Sequence, residues 1–146
     1  LPGVGAFGAV RGRLSAELGD ALVRRVRAGR PTLGICLGMQ LFAEGSEESP
    51  GVAGLGALSA QVTRFDAGTR TPQLGWNGVR PTPDSRWILA GAAYFANSYR
   101  FQSVPVGWTA ALTDHGGPFV SALERGDVLR GETQAHHAVE EFGRFG

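Results

Sequence analysis

Gly34-Ile35-Cys36-Leu37-Gly38 sets the chain's one cysteine between two glycines, after a short apolar run and before a helical pattern. No other stretch constrains the fold as much. Thr32-Leu33-Gly34-Ile35 fits a buried strand, and Met39 to Glu44 reads as a helix leaving it. Gly-x-Cys-x-Gly then falls on a sharp strand-to-helix turn, the cysteine form of a nucleophile elbow. A Cβ at either flanking position would crowd such a turn. Sulfur at a helix N-terminus lies against unpaired N–H groups and the positive end of the dipole, which favours the thiolate. Those N–H groups, notably that of Leu37, can stabilise an oxyanion on an attacked carbonyl. On spacing alone, an ordinary buried thiol is an equal reading, because Gly-rich turns after strands are frequent in α/β proteins.

A thiol nucleophile needs a base, and the chain has His115, His136 and His137. His115 lies in Asp114-His115-Gly116-Gly117-Pro118, which reads as a surface turn. His136 and His137 come late, after a strand-like segment, where the partner of an α/β nucleophile often stands; a solvated histidine is the alternative for each. Gly3-Val4-Gly5-Ala6-Phe7-Gly8 matches the dinucleotide fingerprint Gly-x-Gly-x-x-Gly. That reading is rejected: no strand has room before it, and no strand-terminal acid follows at the required distance. A glycine loop exposing backbone N–H groups, or simple turn-making, remains.

Around this centre the pattern is helix, strand and helix, followed by a run of strands. Residues 6 to 13 are a Gly/Ala-rich passage. From Ser15 to Ala28, Leu18, Leu22, Val23 and Val26 share a helical face, with Gly29 and Pro31 as the stop. Gly45 to Gly56 is a loop. Ser59 to Phe65 alternates, and Tyr94 to Phe101, Trp108 to Thr113, Phe119 to Leu123 and Asp127 to Arg130 are further strand candidates. The expectation is one α/β domain over residues 1–146, with an open, mostly parallel sheet flanked by helices and extended by antiparallel strands. At 146 residues with 42% hydrophobic content, the chain suits one domain with a real core. A net charge of +1 gives no electrostatic case for nucleic acid or a membrane surface. One cysteine and no ligand cluster imply neither a disulfide nor a metal, and no cofactor is implied. The expected setting is soluble and cytoplasmic. All 14 basic residues are arginine, a coding bias without mechanistic content, and the 23 glycines, about twice the usual share, promise tight turns.

Taken in order, Pro2-Gly3-Val4-Gly5-Ala6-Phe7, Gly34-Ile35-Cys36-Leu37-Gly38-Met39-Gln40, Ser46-Glu47-Glu48, Pro72-Gln73-Leu74-Gly75-Trp76-Asn77 and Tyr94-Phe95-Ala96-Asn97-Ser98-Tyr99 form a recognisable set. Together they resemble the glutamine amidotransferase subunit of imidazole glycerol phosphate synthase, a class I (triad) amidotransferase, up to about residue 134. The resemblance implies a flavodoxin-like core. It implies that Cys36 attacks the side-chain amide of glutamine, with an oxyanion hole from the Gly3-Val4-Gly5 loop and Leu37. Gln40, Ser98 and Tyr99 would bind the substrate, and His136 would be the base. Trp76 and Asn77 would face a synthase (cyclase) subunit with a (β/α)8 barrel in a heterodimer. Taken singly, Gln40 also reads as an exposed helix glutamine, and Trp76, Tyr94, Phe95 and Tyr99 as packing aromatics.

Where the family has His-Pro-Glu, this chain has His136-His137-Ala138, which leaves Glu140, or Glu141, to supply the acid of the triad. The family's opening strand and helix and its closing helix have no counterpart, so the chain is expected to be partial. Two alternatives follow: a catalytically impaired remnant that only docks on the synthase subunit, and a glutaminase subunit of another pathway.

Overall fold

The structure, a computed structural model, describes residues 1–126 and the backbone of residues 128–131. Its helices form largely where local signals ask for them. Ser15 sits in extended backbone and its hydroxyl accepts from the N–H of Leu18 at 3.3 Å, starting α2 (Ala16–Arg27) after α1 (Phe7–Arg13). Hydrogen bonds from its own backbone N–H and from Ser15 hold the Glu17 carboxyl below its ordinary value. Gly29, at φ 67°, ends α2, and the Arg25 guanidinium donates to the carbonyl of Pro31. Val26 is fully buried on the inner face, while Leu18 stays half exposed.

α1 lies in the Gly/Ala-rich passage of residues 6 to 13, where the sequence pattern assigned no element. Its N-cap is Ala6, which offers no acceptor; its first turn holds no acid; and Gly8 and Gly12 weaken it. Tertiary contacts supply what local propensity lacks, since Phe7 is fully buried and the first-turn N–H groups are capped from a distant loop.

β1 (Pro2–Gly3) runs parallel to β2 (Thr32–Cys36), and β10 (Val128–Gly131) runs parallel along the other side of β2. β9 (Pro118–Arg125) pairs antiparallel with β10, and the path continues through β7 (Tyr99–Phe101), β4 (Gln61–Arg64) and β3 (Gly45–Ser46). β8 (Thr109–Asp114) joins β9 to β5 (Gln73–Pro81), which carries β6 (Gly91–Asn97) as an antiparallel hairpin. The α/β expectation therefore holds as a mixed sheet with helices, with parallel pairing kept around β2 and between β3 and β4. The antiparallel extension is larger than the sequence pattern suggests.

Most of that excess is β5. Its burial alternates along nine residues, but with inverted chemistry: Gln73 is buried while Leu74 and Trp76 are exposed. A strand that hides amides and shows hydrocarbon to solvent is invisible to apolar periodicity.

The main core joins Val26, Met39, Phe42, Val62, Phe101, Val120 and Leu123 between the helices and the sheet; a second cluster of Phe7, Leu37 and Leu41 lies under the turn at Cys36. Among the described residues no helix is long and apolar enough to cross a membrane. Glu124 on β9 is buried, and its carboxylate accepts from three successive backbone N–H groups, those of Arg86, Trp87 and Ile88. Replacing Glu124 with alanine leaves the N–H groups of Arg86 and Trp87 without acceptors, while that of Ile88 keeps the Ser85 hydroxyl, and is expected to cost about 2–3 kcal/mol. Denaturant titration checks this; an unchanged midpoint would show that water takes the carboxylate's place.

Candidate active site

Cys36 ends β2 with φ 52° and ψ −123°, and it is the one non-glycine residue at positive φ among the described residues. L-residues avoid this region because Cβ crowds the backbone, at a cost of about 1–3 kcal/mol. The turn exists because its neighbours have no side chains. A Cβ on Gly34 would stand 3.1 Å from the carbonyl oxygen of Gly38, and one on Gly38 would stand 1.8 Å from that of Leu1. A Cβ on Gly3 would reach the N–H of Gly38 at 2.7 Å. β1 and the elbow interlock through three bare backbone positions, as the flanking-glycine argument expected.

α3 (Leu37–Gln40) begins at once after Cys36, earlier and shorter than the helix expected over Met39 to Glu44. The carbonyls of Leu37, Met39 and Gln40 then accept from Leu41, Phe42 and Ala43, so the chain tightens into turns rather than continuing as helix. With one turn of helix, electrostatic help at sulfur is limited to the nearest N–H groups. Cys36 itself is only partly buried, unlike an inert core thiol.

The register pairs Gly3 with Cys36, so the Gly3-Val4-Gly5 segment leaves the sheet beside the sulfur. Val4 is 80% exposed and Gly5 takes φ 105°. Gln40 is buried, not an exposed helix glutamine. Register carried from β2 through β10 and β9 to β7 puts Tyr99 at the Cys36 end of the sheet, three strands across. Ser98, just before β7, accepts through its carbonyl from the N–H of Phe65. Tyr99 packs on the main core with the Arg64 guanidinium over its ring.

Trp76 is 58% exposed on the outer face of β5, edge-on to Tyr94 across the hairpin at 6.0 Å. Asn77 beside it is half buried, donating to the carbonyl of Asp114 and accepting from the N–H of Gly78. A depression of about 320 Å³ lies here, against Arg70, Gln73, Trp76 and His115, and not at Cys36. His115 is structural: its ring meets the carbonyl of Arg70 at 2.7 Å and packs edge-on against Phe65. His136, His137, Glu140 and Glu141 lie outside the described residues. Sequence reasoning assigned no role to Glu48 and Ser49, whose side chains accept from the N–H groups of Phe7 and Gly8 at 2.8 and 2.9 Å.

Against this geometry, the family described as glutamine amidotransferase class-I matches residues 1–128. The chain belongs to that family. A relative from Symbiobacterium thermophilum, named imidazole glycerol phosphate synthase subunit HisH, is 45% identical over 136 residues, covering 88% of this chain and 63% of the relative. A protein of the same name from Deinococcus radiodurans is 48% identical over 70% of this chain and 50% of its own length. Another from Zymomonas mobilis is 38% identical over 99% of this chain and 73% of its own length. The chain thus spans between half and about three quarters of these relatives. Two crystal structures of glutamine amidotransferases, the second from Thermotoga maritima, share the fold with TM-scores of 0.65 and 0.63 at 20% and 18% identity. They cover 91% and 90% of this chain, and 67% and 52% of their own lengths are matched. The resemblance drawn from the motifs of this amidotransferase is borne out.

Proposed function

We propose that the chain is the glutaminase part of a cytoplasmic imidazole glycerol phosphate synthase, acting on glutamine in a heterodimer with a barrel-shaped cyclase subunit. In this reading the Cys36 sulfur attacks the side-chain amide carbon of glutamine, and N–H groups of Gly3-Val4-Gly5 and Leu37 receive the oxyanion. His136 takes the thiol proton and returns it to the departing nitrogen as ammonia leaves. Water then hydrolyses the γ-glutamyl thioester to glutamate and regenerates the thiol. Gln40, Ser98 and Tyr99 hold the substrate, and Glu140 steadies the imidazole. Ammonia passes to the cyclase subunit.

The observation that carries this reading is the strained backbone of Cys36 between glycines that admit no side chain, a geometry an ordinary core cysteine has no need of. Topology supports His136 as the base. β10 ends at Gly131 beside Ile35, and the five residues from there to His136 can span at most about 17 Å. The names of the relatives favour histidine biosynthesis over another pathway. The outer face of the hairpin, with Leu74, Trp76 and Tyr94 exposed, is apolar enough to meet a partner. Asn77 serves that face by fixing the strand's path.

Incubation with a glutamine-like diazo ketone is expected to label Cys36 stoichiometrically, and glutamate release is expected to rise when the cyclase subunit is added. Binding of the cyclase subunit with no labelling and no turnover in the complex would establish the docking remnant instead.

A further inference from the structure

Ser46-Glu47-Glu48-Ser49 follows the elbow helix, and each residue in it braces something. The N–H of Glu48 donates to the Ser46 hydroxyl at 3.2 Å, and that of Ser49 to the Ser46 carbonyl at 3.1 Å, so the segment is a tight turn. Glu47 accepts from the N–H of Arg64 at 2.7 Å and ties the turn to β4. Glu48 and Ser49 reach the other way, across 41 residues of chain, to the N–H groups of Phe7 and Gly8. These are first-turn donors of α1, whose own N-cap residue, Ala6, supplies no acceptor.

The segment between Gly3 and Phe7 is therefore held at both ends. At Gly3 it is locked by pairing with Cys36 and by contact with the backbone of Gly38. At Phe7 and Gly8 it is locked by the two side-chain acceptors, and the fit is close, since a Cβ on Gly8 would stand 2.9 Å from the Ser49 hydroxyl. Between the anchors, Val4, Gly5 and Ala6 are exposed and Gly5 holds a positive φ, so nothing local fixes their N–H directions. We infer that Glu48 and Ser49 are positioning residues that clamp the α1 end of the Gly3-Val4-Gly5 loop and so aim its N–H groups at the oxyanion beside Cys36. This rests on the glutaminase reading for its catalytic consequence; the clamp itself does not.

Hydrogen exchange and kinetics on the chain with its cyclase subunit separate the two. In Glu48→Ala and Ser49→Ala, the amides of Phe7 and Gly8 respectively are expected to exchange about fivefold faster, the loss of one cap, with the core strands unchanged. The kcat for glutamine hydrolysis is expected to fall about 10- to 100-fold with KM within about twofold, as for misaimed transition-state donors. Glu48→Gln keeps an acceptor oxygen and is expected to recover most of both, while Glu47→Ala is expected to speed exchange at Arg64 instead. Unchanged exchange at Phe7 and Gly8 overturns the clamp, and so does an equal effect there from Glu47→Ala. Faster exchange with kcat intact, or a rise in KM alone, overturns the positioning role. If the unaltered complex shows no turnover, the glutaminase reading fails and the exchange data still decide the clamp.

Discussion

The Cys36→Gly variant is expected to lose glutamine turnover by about 10⁴-fold or more, yet to unfold about 3 °C above the unaltered chain. The first effect is removal of the proposed nucleophile. The second comes from the backbone. At φ 52° and ψ −123°, a side chain is held against its own peptide groups, storing about 1–3 kcal/mol that glycine does not. Glycine returns about 0.5–1 kcal/mol of this through the greater freedom of its unfolded state, leaving a net gain of about 1 kcal/mol. Cys36→Ser keeps the Cβ and is the control: turnover lost, no gain in Tm. Thermal unfolding and a glutamate assay read both. A Tm for Cys36→Gly at or below that of Cys36→Ser would show that no strain is stored in the turn. Turnover within tenfold of the unaltered chain would remove Cys36 from the chemistry.

How far this site was legible in the sequence follows from where its determinants lie along the chain. The elbow is local: strand, glycine, cysteine, glycine and helix are consecutive, so Gly34 to Gly38 announce the turn, and the structure adds only how tightly β1 closes on it. α2 was equally readable, since Ser15, the apolar face and Gly29 are local signals that agree. α1 was not, because its caps, Glu48 and Ser49, stand 41 residues away. β5 was missed for a different reason. Trp76 and Leu74 point to solvent and Gln73 inward, so hydrophobic alternation reads backwards along this strand. The motif Pro72-Gln73-Leu74-Gly75-Trp76-Asn77 was recognised by its residues while its conformation was not. The place of Gln40 turned on the same distinction: four residues past the cysteine it reads as an exposed helix position, but α3 is a single turn sunk between Leu37 and Phe42, and the glutamine is buried with it.

Gly38→Ala is expected to destabilise the chain by about 3 kcal/mol or more and to lower glutamine turnover by about 100-fold. The added Cβ would lie 1.8 Å from the carbonyl oxygen of Leu1 and 2.8 Å from its carbonyl carbon. Both are main-chain atoms, and that oxygen already accepts from the N–H of Ile35 at 3.1 Å, so it cannot yield without leaving β2. Relief requires β1 to separate from β2 or the elbow to open. Either movement carries Gly3 away from Cys36, so the stability loss and the catalytic loss have one cause. Gly12 supplies the comparison: it lies in α1 with nothing within 4 Å of a new Cβ, and Gly12→Ala is expected to stabilise by about 0.5–1 kcal/mol through helix propensity alone. Glycine-to-alanine exchange thus changes sign between two positions of one chain according to what a single methyl group meets. Denaturation midpoints for the two variants, read beside the glutamate assay, test this together. Near-native stability for Gly38→Ala would mean that β1 does not close on the elbow, and the pairing of Gly3 with Cys36 that aligns the proposed oxyanion loop would fall with it.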